Sequence, residues 1–362
     1  MKNNTVPRIT LGMPVYNGAK HIRETLDSIL AQTVTDFRLV ISDNASTDTT
    51  GEICREYAQR DDRIRYYRQS ENLGFVNNFN FVFQPEGSPY FKWVAHDDLL
   101  KPTYLQRCLE LLEQDDSLSM AHCITLQIDE QSQEIGKYNN LRLSGDRVRD
   151  RFWAILWTID IYEVYGVMRS DLLTKTQLAG NYVGSERTML AKMLLQGNIG
   201  YVEEGLFSRR DHAGAQTAIH IQARNAGNYA VMRKCQAPKS KVPRVLAPVV
   251  RFGKYLEAIS MFSMPVGDRL ACLKMLTEWV IHRTVESATG NTERYRYKFY
   301  ADLWAAEPVT TEQGSVEPQT DAAEEQERKE STAALLSGAP VLMCEATAQL
   351  TPFAQPLSNA KF

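Results

Sequence analysis

Along the first hundred residues, apolar and polar positions change period in a way that separates strands from helices. Residues 9–14 form a short apolar run that stops at Pro14 and the turn-forming pair Asn17-Gly18, after which Ile22, Leu26, Ile29 and Leu30 recur at helical spacing. Residues 37–41 are a second β-rich run. Ser46 is placed to cap a helix carrying Ile53 and Tyr57, and residues 64–67 predict a third strand. Leu73, Val76, Phe79 and Phe83 make a further helical stripe before residues 90–94, a fourth strand that leads straight into His96-Asp97-Asp98. Strands separated by helices predict an α/β fold: a mostly parallel sheet with helices on both faces, because each parallel connection must cross the sheet.

Downstream the pattern continues with less regularity. Residues 102–115 place Leu105, Leu109 and Leu112 on one helical face, and residues 120–128 read as a fifth strand. Residues 136–151 are polar and loop-like, and the aromatic stretch that follows, with Phe152, Trp153 and Trp157, reads as core packing. A late strand is predicted at 165–169 and a helix at 188–196, introduced by Gly184-Ser185-Glu186. Residues 199–207 then run into the polar cluster Arg209-Arg210-Asp211-His212. From about 220 to 300 the pattern is helical and basic, with Pro243, Pro248 and Pro265 as interruptions, and packing on the core or on another copy is its plainest reading.

Charge divides this chain more sharply than composition does. The 362 residues carry 41 Lys and Arg against 44 Asp and Glu, a net charge of −3, which argues against a nucleic-acid binder because phosphate affinity rests on clustered positive charge. Residues 306–362, however, hold nine acids and three bases, leaving the rest of the chain at +3. That tail lacks Trp, Tyr and Ile and is expected to be disordered, since it buries too little to offset its ordering entropy. Six scattered cysteines with no CxxC pair point to reduced thiols. The N-terminus has no apolar leader and no apolar run approaches the roughly 18 residues of a membrane span, so a cytoplasmic location is expected.

Three strand ends deliver polar residues to one rim: Tyr16-Asn17, Asp43-Asn44 and Asp97-Asp98. In an open α/β sheet, ligands bind beyond the carboxyl ends of the strands. Any one of these pairs alone reads as an ordinary Asx turn; three together weaken that reading. Neither GxGxxG nor GxxxxGK[ST] is present, which excludes the standard dinucleotide fold and the P-loop. An acidic pair at a strand end suits a divalent metal whose remaining ligands are water and substrate phosphates.

Pro14-Val15-Tyr16-Asn17, then residues 42–48 (Ser-Asp-Asn-Ala-Ser-Thr-Asp), then Asn72-Leu73-Gly74, then His96-Asp97-Asp98 resemble the ordered motifs of the family 2 glycosyltransferases, which have the GT-A fold. The resemblance covers roughly residues 7–215 and is greatest to bacterial enzymes that build surface polysaccharides. It implies a hexosyl- or deoxyhexosyltransferase that uses a nucleoside-diphosphate sugar, with UDP or dTDP as the handle, a divalent metal (Mn²⁺ or Mg²⁺) and a glycan or lipid-linked glycan acceptor.

The resemblance also implies residue roles. Pro14, Tyr16 and Asn17 match the first nucleotide-contacting loop, although a Tyr that ends a strand is as readily a buried core residue. Asp43 matches the acid that accepts a pyrimidine N–H, and Asn72 and Gly74 match a segment passing close to the nucleotide. Asp97 contacts the ribose or the metal shell, and Asp98 the metal. The family's Asp-x-Asp has His96 at its first position here, as a ligand, a diphosphate donor or a spacer.

Inverting transfer needs a carboxylate base. Glu186 opens a helix in the acceptor half, as the family's base does, with Asp211 as the second choice; a plain first-turn Glu favoured by the helix dipole is the competing reading of Glu186. Arg209 and Arg210 suit diphosphate oxygens, and His212 suits a further metal ligand or leaving-group donor. The expected organisation is a catalytic domain at 1–215 (nucleotide half 1–100, acceptor half 101–215), a helical extension at 216–305 and the tail at 306–362. Contact with an anionic membrane and self-association are further expectations. A sugar-1-phosphate nucleotidyltransferase and a non-catalytic nucleotide- or glycan-binding partner are the alternatives. The first lacks its Gly-rich triphosphate loop here, and the second is at odds with the retained acids.

Overall fold

The computed structural model describes residues 6–85, 87–138, 147–158, 161–212 and 241–289. The predicted strands of the first half are β1 (Ile9–Val15), β2 (Phe37–Asp43), β3 (Ile64–Arg68) and β4 (Tyr90–Trp93), separated by α1 (Ile22–Leu30), α2 (Thr50–Arg60) and α3 (Phe75–Phe81). They pair in parallel in the order β3-β2-β1-β4. Val15 lies in register with Asp43, and Asp43 with Arg68, so three strands end level and their following loops emerge side by side. Every residue of β1 except Pro14 is buried, as a strand covered on both faces requires.

The second half adds β5 (Leu99–Leu100), α4 (Tyr104–Gln114), β6 (Leu118–Ile128), β7 (Glu134–Lys137), α5 (Val148–Trp157), β8 (Val167–Arg169), α6 (Ser170–Thr174), α7 (Ser185–Gln196) and β9 (Asn198–Arg210). It closes with α8 (Ala247–Met261) and α9 (Val266–Thr289). Strand β8 runs antiparallel to both β4 and β6, while the long β6 and β9 pair in parallel. The nine-stranded order is β3-β2-β1-β4-β8-β6-β9-β5, with β7 on β6. The expected α/β architecture holds, parallel through the first half and mixed in the second.

Two cores flank the sheet. On one face α1, α2 and α4 cover Ile9, Leu11, Leu39 and Ile41. On the other, α3, α5, α7, α8 and α9 cover Phe91, Trp93, Met120 and Met168. Helices α8 and α9 belong to this second core through Tyr255, Ile259, Leu276 and Trp279, and the Trp279 indole N–H donates to Leu156 O at 3.0 Å.

Three local expectations change. Ser46 does not cap α2, which begins at Thr50: the Thr50 N–H is taken by Asp48 Oδ1 at 3.0 Å, and Ser46 Oγ accepts the Asn17 N–H at 2.9 Å. The positive φ of Ala45 (61°) turns the chain so that Ser46 faces the first loop. Helix α3 starts only at Phe75, because the Leu73 N–H is held by Asn44 Oδ1 at 2.7 Å. Residues 136–151 include the end of β7 and the start of α5, with 139–146 outside the described residues. Residues 213–240 of the expected acceptor half and extension, residues 290–305, and the whole acidic tail also lie outside them.

Candidate active site

The loops after β1 and β2 lock together. Besides the Asn17–Ser46 bond, the Gly18 N–H donates to Thr50 Oγ1 at 2.8 Å and the Thr47 N–H to Asn17 Oδ1 at 2.8 Å. Asn17 holds a φ of 52° and Ala45 one of 61°; for an alanine this costs about 1 kcal/mol and persists because the surrounding bonds fix it. Tyr16 is 46% exposed, so its ring stands at the rim instead of in the core. Gly18 permits a close approach: a Cβ there would lie 2.4 Å from His96 Cδ2, and the imidazole therefore rests on bare backbone.

Asp43 is wholly buried. Its Oδ1 accepts the Ser46 N–H at 2.8 Å, and its Oδ2 accepts from Tyr66 at 2.8 Å and from Arg68 Nη1 at 2.6 Å. Arg68 stays half-exposed over this carboxylate and also donates to Ser46 O at 2.7 Å. Asn72 Oδ1 accepts from Asn44 Nδ2 and from the Gly74 N–H, each at 2.9 Å, which ties the third loop to the second.

Three imidazoles from three chain segments surround Asp97. His212 Nε2 lies 3.0 Å from Asp97 Oδ2, the His21 ring packs at 5.1 Å from that of His212, and His96 is adjacent in sequence. Burial alone would raise the Asp97 carboxyl, but His96 and His212 overcome it and hold it well below the usual range. Asp98 goes the other way. Burial, and then the Asp97 charge, push it up, opposed by the Arg210 N–H that donates to its Oδ1 at 3.0 Å and by the charges of Arg209 and Lys92.

Arg210 is a strut. Its side chain has no exposure: Nε donates to Asp97 O at 2.8 Å, Nη1 to Ser132 Oγ at 2.9 Å and Asp129 O at 3.1 Å, and Nη2 pairs with Glu24 at 2.7 Å. All three nitrogens are thus spent on the Asp97 backbone, the turn after β6 and Glu24 of α1, which leaves the diphosphate role expected of it without a presented donor face. Asp211 is similarly engaged, by Gln127, by Tyr138 Oη at 2.9 and 3.0 Å and by Arg209. Arg209 lies over the Tyr138 and Tyr162 rings at 5.2 and 5.3 Å and is nearly buried.

Glu186 sits in the first turn of α7, whose N-cap Gly184 has a left-handed φ of 82° that an L side chain adopts only under strain. It is half-buried, and burial pushes its carboxyl up, against Arg187, Ser185 and its own N–H. Tyr165 connects the two halves. Its phenol is raised first by burial and then by Asp98, Asp97 and Glu186 together, with Arg209 opposing, so all four groups lie within electrostatic reach of one side chain. The site offers three interlocked loops after the parallel strands, a buried acid pair and a carboxylate raised by burial at the start of α7.

Residues 10–173 match the profile described as Glycosyl transferase family 2. That stretch belongs to glycosyltransferase family 2. The chain is 33% identical over 137 residues to an uncharacterized glycosyltransferase of Rickettsia typhi, covering 37% of this chain and 42% of that protein. It is 36% identical over 99 residues to the glycosyltransferase GlyA of Streptococcus pneumoniae, covering 27% of this chain and 14% of that one. The chain thus spans less than half the length of these curated relatives. Among solved structures it is similar to TarS of S. aureus (residues 1–349, with UDP-GlcNAc) at a TM-score of 0.48 and 13% identity, over 79% of this chain and 93% of that one.

The family 2 region contains every sequence-predicted residue up to Asp98, while Glu186 and residues 209–212 lie beyond the matched stretch. Sequence reasoning missed Arg68, Tyr66, Tyr165 and the Tyr138–Tyr162 pair. Arg68 was open to inference as a charge at the end of a strand beside Asp43. Among the described residues no three His, Cys, Asp or Glu side chains stand ready as a cation cage. The donor set still fits a hard divalent ion: Asp98 has an oxygen beyond the one bound by Arg210, beside a second carboxylate and an imidazole, and such ions commonly take one or two carboxylates plus substrate phosphates.

Proposed function

We propose that this chain is an inverting glycosyltransferase that moves a sugar from a UDP or dTDP donor to a hydroxyl acceptor of a glycan, in the making of a surface polysaccharide. One observation supports the reading: Asp43 ends β2, the Asp97–Asp98 pair follows β4, Glu186 opens α7, and Tyr165 is in electrostatic reach of Asp98, Asp97 and Glu186 alike. The loops at 16–18, 43–47 and 72–74 bind the nucleotide, with Asp43, held in place by Tyr66, Arg68 and Ser46, as the acceptor for the pyrimidine N–H. Asp98, with Asp97 and His212, would hold Mn²⁺ or Mg²⁺. An ion held there would supply positive charge against the leaving diphosphate.

Glu186 takes the proton from the acceptor hydroxyl as that oxygen attacks the anomeric carbon. Its raised affinity for protons brings it nearer to the working pH of a general base. Asp211 then serves to hold Arg209 and Tyr138, and Arg209 supplies positive charge near Asp98.

The test uses slow donor hydrolysis and transfer. Glu186→Gln is expected to lower turnover by about 10²–10⁴-fold while UDP affinity stays within about twofold. Full turnover in that variant removes Glu186 as the base. Thermal stabilisation by nucleoside triphosphates and not by UDP or dTDP with Mn²⁺ favours a nucleotidyltransferase instead.

A further inference from the structure

Among the described residues, nine of the twelve large hydrophobic side chains that are exposed fall between Val245 and Val285. Their placement follows the helix period. On α8, Val249 and Leu256 are seven residues apart on one exposed flank, at the edge of the buried face that carries Tyr255 and Ile259. On α9, Leu270, Ile281 and Val285 stand opposite buried Cys272, Leu276 and Trp279, with exposed Lys274 among them. The two helices pack on each other, α8 on α7 and α9 on α5, so they form an outer layer whose uncovered faces look away from the core.

The geometry and charge point to an anionic lipid bilayer as the occupant of this face. The exposed residues are all aliphatic or Met, with none of the Tyr or Trp that anchor protein interfaces. Residues 241–289 carry seven Lys and Arg against four Asp and Glu. Three of those acids are paired within the protein: Glu257 with Lys254 and Lys192, Glu286 with Arg283, and Asp268 with Arg149. Apolar side chains flanked by net positive charge suit insertion at the headgroup boundary of an anionic membrane. The same charge opposes docking of two copies face to face.

The test is flotation of the full chain with vesicles of phosphatidylcholine containing phosphatidylglycerol, against phosphatidylcholine alone. Binding is expected to the anionic vesicles, weakened by salt. It is expected to fall by about tenfold or more in the double variant Leu256→Glu, Leu270→Glu, with melting temperature and donor hydrolysis in solution unchanged. Lys274→Glu is expected to lessen the preference for anionic lipid. Absence of binding, or binding that the double variant retains, overturns the proposal. So does a concentration-dependent dimer that this variant dissolves, which assigns the face to a second copy. Binding that appears only once residues 306–362 are removed assigns it to the chain's own C-terminal residues. Because hydrolysis is read separately, failure here leaves the transferase reading intact, and the reverse also holds.

Discussion

Lys92, in the middle of β4, has no exposed surface, and its ammonium donates to Tyr165 O and, at 3.4 Å, meets Tyr104 Oη. It thereby fixes the backbone of Tyr165, the residue in electrostatic reach of both the acid pair and Glu186. Burial lowers its pKa from 10.5 to about 8. Between those values the unfolded chain still holds a proton that the folded one has shed, so stability rises with pH across the window; the cost of the buried charge is full below about 8 and gone above 10.5. Relative to Lys92→Met, the parent protein is expected to gain on the order of 3 kcal/mol over that range, read by urea unfolding at a series of pH values. Parallel curves for the two proteins would contradict this. At this scale the candidate acids were legible, because Asp43, Asp97 and Asp98 each follow an apolar run and Glu186 opens a helical stripe. Apart from Arg68, a charge at a strand end, their partners were not: Tyr66 and Tyr165 act across strand pairs and turns, and only folding brings them together. Lys92 itself was a visible signal, a charge inside an otherwise apolar strand.

Elements with a full period were legible and short ones were not. Helices α1 and α4 repeat their apolar stripe over two or more turns, whereas β5 has two residues, β7 four and α6 five, too few to show a period. Helix α5 read only as core because its aromatics hid its 3.6 spacing. Helices α8 and α9 do more than cover this side of the sheet. Trp279 anchors on Leu156 at the end of α5, Arg251 lies over the Trp279 ring at 5.1 Å, and a Cβ on Gly184 would come within 3.3 Å of Arg251 Cδ. Arg187, next to Glu186, meanwhile donates to Ile155 O at 3.2 Å. The first turn of α7 is therefore braced by α5 and α8. Trp279→Ala is expected to cost about 3–5 kcal/mol by denaturant unfolding, and to lower turnover more than it changes nucleotide affinity. A variant that loses stability with turnover per folded molecule unchanged would show that the brace does not reach Glu186.

At the scale of the whole chain, charge divides the sequence near residue 305, while the described residues before it share their cores. Residues 306–362 carry a net −6 and few large apolar side chains, whereas the remainder is at +3 and its described residues build two continuous cores. The second core runs from Val40 through α5 and α7 into α8 and α9, so residues 241–289 are part of what keeps the family 2 region folded. Fully burying a large apolar side chain is worth about 1.5–3 kcal/mol, and Tyr255, Ile259, Cys272, Leu276 and Trp279 together approach the whole stability of an ordinary domain, about 5–15 kcal/mol. Two truncations separate these roles. A chain ended after residue 305 is expected to keep its melting temperature, its affinity for UDP and its donor hydrolysis, since the residues removed are acidic and poor in groups that build a core. A chain ended after residue 240 is expected to expose Phe152, Met189 and Leu190 and to fail to fold, seen as loss of the cooperative thermal transition and of nucleotide binding alike. If the shorter chain melts cooperatively and binds UDP, the helical pair is an appendage and the domain ends before it. If the longer one loses hydrolysis while still binding UDP, the acidic segment contributes to turnover and the division by charge is not a division of function.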